Sequence, residues 1–274
     1  MTTSDLSPYV QIEGLVAQYD GRTILDGISL DAYRGEITVV LGSSGCGKTT
    51  LLRHIVGLLT PTAGRVLIDG RDFHQANEEE RENILRNVGM SFQGGALFNS
   101  MTLEENIALP IIEHTKTDQE TARMLARMKL SLVGLERAAH LLPATISGGM
   151  KKRAAVARAM ALDPTLLLFD ELSAGLDPIT ARELDELVLR LKEQLSMTII
   201  IVTHELGSIQ MIADRAIMLD AGRVLAAGPL DEVRQTDHPH IRAFFDRRPR
   251  PTILQGGLLD TLLVNGEQHG TESA

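Results

Sequence analysis

An apolar strand, Ile37 to Leu41, runs directly into Gly42-Ser43-Ser44-Gly45-Cys46-Gly47-Lys48-Thr49, and few folds accommodate that juncture. The octet fits G-x-x-x-x-G-K-[ST], a loop that turns a strand into a helix while its backbone N–H groups close around phosphate. Gly42, Gly45 and Gly47 permit a backbone approach that side chains would block. Lys48 supplies a point charge to β- and γ-phosphates. The Thr49 hydroxyl can ligate Mg²⁺, and Thr50, one residue deeper, can reach an α-phosphate oxygen. Cys46 is the single cysteine of the chain, so no internal disulfide can form, and it reads as a small residue at a variable loop position.

Far downstream a second apolar strand, Leu166-Leu167-Leu168-Phe169, ends in Asp170-Glu171. Asp170 can hold the Mg²⁺ of a bound nucleotide, and Glu171 can polarise an attacking water. The two motifs together predict nucleoside triphosphate hydrolysis. A third element, Ile146-Ser147-Gly148-Gly149-Met150, lies just before the helix expected over Lys151 to Leu162. Ser147 is a good N-cap, and the glycine pair leaves backbone N–H groups open.

The remaining chain alternates short strands with helices. Val10 to Tyr19 and Thr23 to Asp31 read as paired strands split by the turn Asp20-Gly21. A helix is expected from Lys48 to about Leu58, and strands at Gly64 to Ile68 and Val88 to Phe92. From about Thr102 to Leu162 the pattern is largely helical. Strands return at Leu166 to Phe169, Thr198 to Val202, Ala216 to Leu219 and Arg223 to Ala226, with helices over Pro178 to Gln194 and Leu206 to Ala213. Strands alternating with helices imply a parallel sheet covered on both faces. With 43% hydrophobic residues the chain of 274 has ample material for a core, and its net charge of −9 argues against broad nucleic-acid binding. Met1 to Pro8 lacks the pattern of a signal peptide, and no apolar run approaches the roughly 20 residues of a membrane-spanning helix. A cytoplasmic protein that reaches a membrane only through a partner is expected.

In order along the chain, these motifs resemble the nucleotide-binding subunits of ATP-binding cassette (ABC) transporters. Ser147 to Met150 stands where that family has its Leu-Ser-Gly-Gly-Gln signature, and Gln93 stands at its Q-loop glutamine. Ala174-Gly175-Leu176-Asp177 resembles the D-loop, His204 the switch histidine, and Tyr19 the aromatic that stacks on adenine. The resemblance covers about residues 9–240. It implies an α/β fold: a P-loop NTPase core with a parallel sheet, an N-terminal antiparallel β-subdomain and an inserted helical subdomain at about 102–162. Residues 1–8 would be a flexible N-terminus and 241–274 a C-terminal extension.

The resemblance also implies a mechanism. Two copies would pair head to tail, with each ATP between one glycine loop and Ser147, Gly148, Gly149 and Asp177 of the facing subunit. Glu171 would orient or activate water, His204 would contact the γ-phosphate, and Gln93 would reach Mg²⁺ together with Thr49 and Asp170. Met150 replaces the signature glutamine and Leu172 the proline that usually follows the glutamate. Neither change removes the serine, the glycine pair or the carboxylates, so hydrolysis is expected. Leu172 is expected to alter the turn after the strand, since proline's fixed φ is lost.

A finer resemblance separates transporter types. Gln93-Gly94-Gly95-Ala96-Leu97-Phe98, Ala108-Leu109-Pro110, Glu113-His114-Thr115 and Asp177-Pro178-Ile179-Thr180 look like ATPase subunits of the Mla (maintenance of lipid asymmetry) phospholipid systems and the related mammalian-cell-entry (Mce) systems. That implies a permease at the inner membrane, an Mce-domain lipid-binding protein and a small STAS-domain subunit as partners, with the chain on the cytoplasmic side. Another ABC importer, for example for amino acids, or a non-transport ABC ATPase are the alternatives. Finally, Arg247 to Ala274 opens with Arg247-Arg248-Pro249-Arg250-Pro251 and then spaces Ile253, Leu254, Leu258, Leu259, Leu262, Leu263 and Val264 near a three-to-four period. This segment is expected to pack on a neighbouring subunit.

Overall fold

The computed structural model describes residues 7–247. In chain order, β1 (Pro8–Tyr19) and β2 (Arg22–Tyr33) pair as a hairpin across Asp20 and Gly21, whose φ values of 48° and 74° suit a two-residue turn between twisted strands. β3 (Ile37–Gly42) leads through the glycine loop into α1 (Lys48–Ile55). Next come β4 (Ala63–Ile68), β5 (Arg71–Asp72), α2 (Glu78–Arg86) and β6 (Val88–Ser91). The helical stretch holds α3 (Leu103–His114), α4 (Gln119–Leu132) and α5 (Gly148–Ala159). It is followed by β7 (Leu166–Asp170), α6 (Pro178–Leu195), β8 (Thr198–Val202), α7 (Leu206–Ile212), the hairpin of β9 (Arg215–Asp220) and β10 (Arg223–Pro229), α8 (Leu230–Gln235) and α9 (Pro239–Phe245).

The described residues divide into two compact units, the first ending at Thr236 and the second beginning at Asp237. In the second unit α9 begins after His238, whose ring accepts the His240 N–H at 3.3 Å. The expectations for a flexible N-terminus and for the apolar segment after Arg247 lie outside the described residues, apart from Ser7, Pro8 and Arg247 itself.

The first unit contains two sheets. One is antiparallel, ordered β2-β1-β4-β5; the other is ordered β10-β9-β3-β8-β7-β6. In the second sheet β6, β7, β8, β3 and β9 run parallel, while β10 pairs antiparallel with β9 at the edge. The sheet is therefore mixed where a parallel one was expected, because β9 and β10 are joined by a hairpin too short for a crossover. β3, β7 and β8 are buried along their whole length, which is why they read as unbroken apolar runs. Leu51, Leu52 and Ile55 of α1 share one core cluster with Ile12, Leu15 and Leu30 of the antiparallel sheet and with Leu166, Leu168, Val202 and Leu219 of the mixed sheet. The helix behind the glycine loop is thus fixed by packing against both sheets.

Local chemistry explains where elements end. α1 stops at Ile55, short of the expected Leu58: Gly57 at φ 69° donates to the His54 carbonyl (3.1 Å), and the Leu58 N–H donates to that of Arg53 (2.9 Å). That pair of bonds is a Schellman stop. α2 was not expected. It buries only Ile84, so it has almost no apolar periodicity, but Asn77 and Glu80 form a reciprocal capping box with both bonds at 3.0 Å. Between α4 and α5 the expected helical run is interrupted by two short 3₁₀ turns, Glu136–Ala138 and Pro143–Thr145.

Candidate functional site

The site gathers at the carboxyl ends of the parallel strands, where ligands of open α/β sheets bind. Gly42 has φ 148°, and a Cβ there would lie 2.1 Å from the Leu219 carbonyl oxygen; at Gly47, φ 106°, a Cβ would lie 2.5 Å from Leu25 Cδ2. Both glycines are required by conformation and by space. Gly45 is required by conformation alone, since its φ is 78° and a Cβ there would meet nothing within 4 Å. The Lys48 ammonium donates to the carbonyls of Gly42 (3.0 Å) and Ser43 (2.9 Å), folded over its own loop. The Ser43 hydroxyl donates to Asp220 at 3.4 Å, and Ser44 and Thr50 line the cleft beside the loop. Burial pushes the Cys46 thiol up, which keeps it protonated and unreactive in its packed position.

The cleft beside the loop measures about 660 Å³ and includes Tyr19, Lys48, Thr49, Arg53, Gln93 and Glu171 in its walls. Tyr19, 40% exposed, forms part of its rim. On the floor the Thr49 hydroxyl donates to Asp170 Oδ1 at 3.1 Å. Burial raises the Asp170 pKa, and the Thr49 hydrogen bond partly offsets this. Among the described residues no group of three or more His, Cys, Asp or Glu side chains could hold a metal alone. The two hard oxygen donors of Thr49 and Asp170 fit a cation that completes its shell with phosphate oxygens and water, as Mg²⁺ does.

Glu171 occupies the left-handed region at φ 51°, a conformation that costs about 1–3 kcal/mol for a residue with a side chain. Its N–H donates to the Val202 carbonyl at 2.9 Å, and its own carbonyl accepts from Ala174 at 3.2 Å, closing the turn that begins with Leu172. Leu172 is buried and anchors that turn. The Glu171 carboxylate receives the Gln93 side-chain amide at 2.7 Å, and His204 Nδ1 lies 3.2 Å from its other oxygen. Gln93, Glu171 and His204 thus converge, although they stand far apart in the chain. Sequence reasoning missed Lys152, whose ammonium donates to the carbonyls of Gln93 (2.7 Å) and Glu171 (3.3 Å). The only signal available was a basic residue one turn into the helix after the glycine pair.

The residues that the resemblance assigns to the signature and D-loop stand apart from this cleft: none of Ser147, Gly148, Gly149 or Asp177 lines it. Ser147 is the N-cap of α5, accepting the Met150 N–H at 3.2 Å, and it is exposed with Gly148 beside it. Asp177 caps α6: it accepts the Ile179 N–H (3.1 Å), the Thr180 N–H (3.0 Å) and the Thr180 hydroxyl (2.6 Å). These bonds, that from the Thr180 hydroxyl foremost, hold its carboxyl below the usual carboxylate range. The two helix starts meet at Gly149, where a Cβ would lie 2.5 Å from Thr180 Cγ2. Threonine is stiff at χ1 and this one is pinned by Asp177, so it cannot easily turn aside. Gly149→Ala is therefore expected to lower stability by about 1–3 kcal/mol, measured as a shift in denaturant midpoint. An unchanged midpoint would mean that the contact is soft.

Residues 25–174, more than half of the chain, match the family described as ABC transporter. The chain belongs to the ABC transporter family. As a member of it, the protein binds nucleotide and is an ATPase. It is 40% identical over 235 residues to the intermembrane phospholipid transport system ATP-binding protein MlaF of Haemophilus influenzae, covering 86% of this chain and 89% of that protein. It is 38% identical over 239 residues to the probable ribonucleotide transport ATP-binding protein mkl of Mycobacterium leprae, covering 87% of this chain and 69% of that one. Among solved structures it is similar to the dimeric post-hydrolysis state of the ATP-binding cassette MJ0796 bound to ADP and Pi. There the TM-score is 0.74 at 31% identity, over 81% of this chain and 98% of that one. Among the described residues no helix is long and apolar enough to cross a membrane.

Proposed function

We propose that this chain is the ATP-hydrolysing subunit of a membrane transporter for phospholipid, acting as a head-to-tail pair on the cytoplasmic face of the inner membrane. The observation that carries this reading is the 40% identity to a phospholipid transport ATPase over nearly the full length of both proteins. Within one subunit, the backbone N–H groups of residues 42–50 and the Lys48 ammonium hold the β- and γ-phosphates. Tyr19 stacks on the adenine. Glu171 takes or orients a proton of the attacking water, and Gln93 and His204 hold its carboxylate at the phosphate end of the cleft. Thr49, Asp170 and Gln93 would hold Mg²⁺. The ion, when bound, neutralises charge that develops on the phosphate oxygens.

The cleft is open at the surface and takes no lining from Ser147, Gly148, Gly149 or Asp177 of its own subunit. The exposed N-terminal end of α5, with Ser147 and the Gly148-Gly149 pair, supplies the missing wall from the facing subunit, its helix dipole and free N–H groups aimed at the γ-phosphate. Asp177 belongs to the same face. A groove of about 300 Å³ lined by Met90, Phe92, Ala96, Pro110, His114 and Arg158 offers a seat for the permease next to Gln93. Arg158, in the wall of the groove, donates to the Ala96 carbonyl while its guanidinium covers the Phe98 ring, and the chain just beyond is tied down by buried Asn106, which bonds to the backbone of Phe98, Met101 and Thr102. A STAS-domain protein and an Mce-domain lipid-binding protein complete the partners, and no nucleic acid is among them.

Purification of the chain with its membrane partners, followed by analysis of bound small molecules, tests this. Phospholipid is the expected cargo. Ribonucleotide as the sole cargo would move the chain to the group represented by the mycobacterial relative.

A further inference from the structure

Lys152 is a charged side chain that neither phosphate binding nor water activation requires directly, yet it lies among the groups that carry them out. It stands one turn into α5 and is half-buried. Its ammonium donates to the Gln93 carbonyl at 2.7 Å and to the Glu171 carbonyl at 3.3 Å. Gln93 in turn donates from its side-chain amide to Glu171 Oε2 at 2.7 Å. Three residues from three segments thus close a ring: Lys152 holds two backbones, and one of those residues holds the carboxylate of the other.

The ring acts where the backbone most needs support. Glu171 sits at φ 51°, which a residue with a Cβ keeps only when its surroundings fix it. The Glu171 N–H is tied to β8 through Val202, and the carbonyl on the other side is tied to α5 through Lys152. Gln93 lies just past the end of β6, so Lys152 also sets the point from which the Gln93 amide reaches. Burial draws the ammonium below its usual range, opposed by the charges of Glu171 and Asp170, while its hydrogen bonds go to the two backbone carbonyls. The task asks for a side chain with several donors on a long stem, which an apolar residue of the same length cannot replace.

We propose that Lys152 is a positioning residue for ATP hydrolysis, locking the Gln93 loop and the Glu171 backbone onto α5 so that the Glu171 carboxylate stays at one point of the cleft. This rests on the reading of Glu171 as the group that activates water.

The test compares the full chain with its Lys152→Met and Lys152→Arg variants in steady-state hydrolysis, equilibrium nucleotide binding and thermal unfolding. Lys152→Met should lower kcat by about 10- to 100-fold, the cost of a slightly misplaced reacting group. Nucleotide affinity and KM should stay within about two-fold, because the phosphate loop is untouched. Lys152→Arg, whose fork can serve two carbonyls, should restore most of the rate. If Lys152→Met does not fold, Lys152→Gln, with two N–H donors on a shorter stem, gives the same comparison. Unchanged kcat, or a fall in kcat matched by loss of nucleotide binding, would overturn the proposal. Glu171→Gln is assayed alongside: full activity in that variant sinks the underlying assignment of Glu171, an outcome distinct from a silent Lys152→Met.

Discussion

Glu171→Gln is expected to lower kcat by about 10²–10⁴-fold while leaving ATP affinity nearly unchanged. In barrier terms that is about 3–5 kcal/mol. The replacement keeps the shape of the side chain but removes the charge that draws a proton from water. It should also keep the local structure. The amide oxygen can still accept from Gln93, which now donates to Glu171 at 2.7 Å, and the amide NH₂ can face His204 Nδ1, now 3.2 Å away. In the proposed mechanism the phosphate contacts lie elsewhere, in the glycine loop and Lys48, so binding and turnover should separate. Lys48→Ala is the converse: with the ammonium gone, nucleotide affinity itself should fall. Phosphate release and equilibrium binding on both variants check the pair. Undiminished hydrolysis by Glu171→Gln removes Glu171 from its role.

The elements that were legible in the sequence are those whose burial leaves a one-dimensional trace. β3, β7 and β8 are covered on both faces, so Ile37 to Leu41, Leu166 to Phe169 and Thr198 to Val202 appear as plain apolar runs. The β1–β2 hairpin was legible because Asp20-Gly21 names its turn. α2 was not, because a surface helix with one buried residue carries no periodicity and shows itself only through the Asn77–Glu80 box. The stop of α1 was misplaced for a related reason. Pro61 is the conspicuous breaker in the sequence, but Gly57, four residues earlier, lets the chain turn back onto the last carbonyls and ends the helix first.

The candidate site divides along the same line. The glycine loop is contiguous, and its chemistry follows from residue types. The meeting of Gln93, Glu171 and His204 depends on register, which no local pattern records. Ser91 pairs with Phe169 and Phe169 with Ile201, so the ends of β6, β7 and β8 come level and the residues just beyond them face one another. Their convergence could be expected only through family resemblance. Lys152 belongs to no motif and became visible only when α5 was seen to pass beside that level. Asp177 shows the limit in the other direction: its resemblance to a D-loop residue says nothing of the three hydrogen bonds that already occupy its carboxylate as a helix cap.

Two inactive variants are expected to restore one another on mixing. Lys48→Ala damages the glycine loop, and Ser147→Arg places a bulky cation at the exposed start of α5, yet neither residue touches the other's surroundings within one chain: Lys48 lines the cleft and Ser147 does not. If each ATP is shared by the glycine loop of one subunit and the α5 start of its partner, a mixed pair has one site carrying both lesions and one carrying none. Random pairing in an equal mixture makes about half of the dimers mixed, so activity should reach about a quarter of wild type if the intact site works alone. Each variant by itself should stay near background. The measurement is phosphate release after the subunits have exchanged to equilibrium, with exchange followed by a labelled copy. If the active site were completed within one chain, every subunit in the mixture would keep its own lesion and no activity could return. Recovery therefore separates the shared site from the self-contained one, and its absence after proven exchange removes the head-to-tail arrangement from the proposed mechanism.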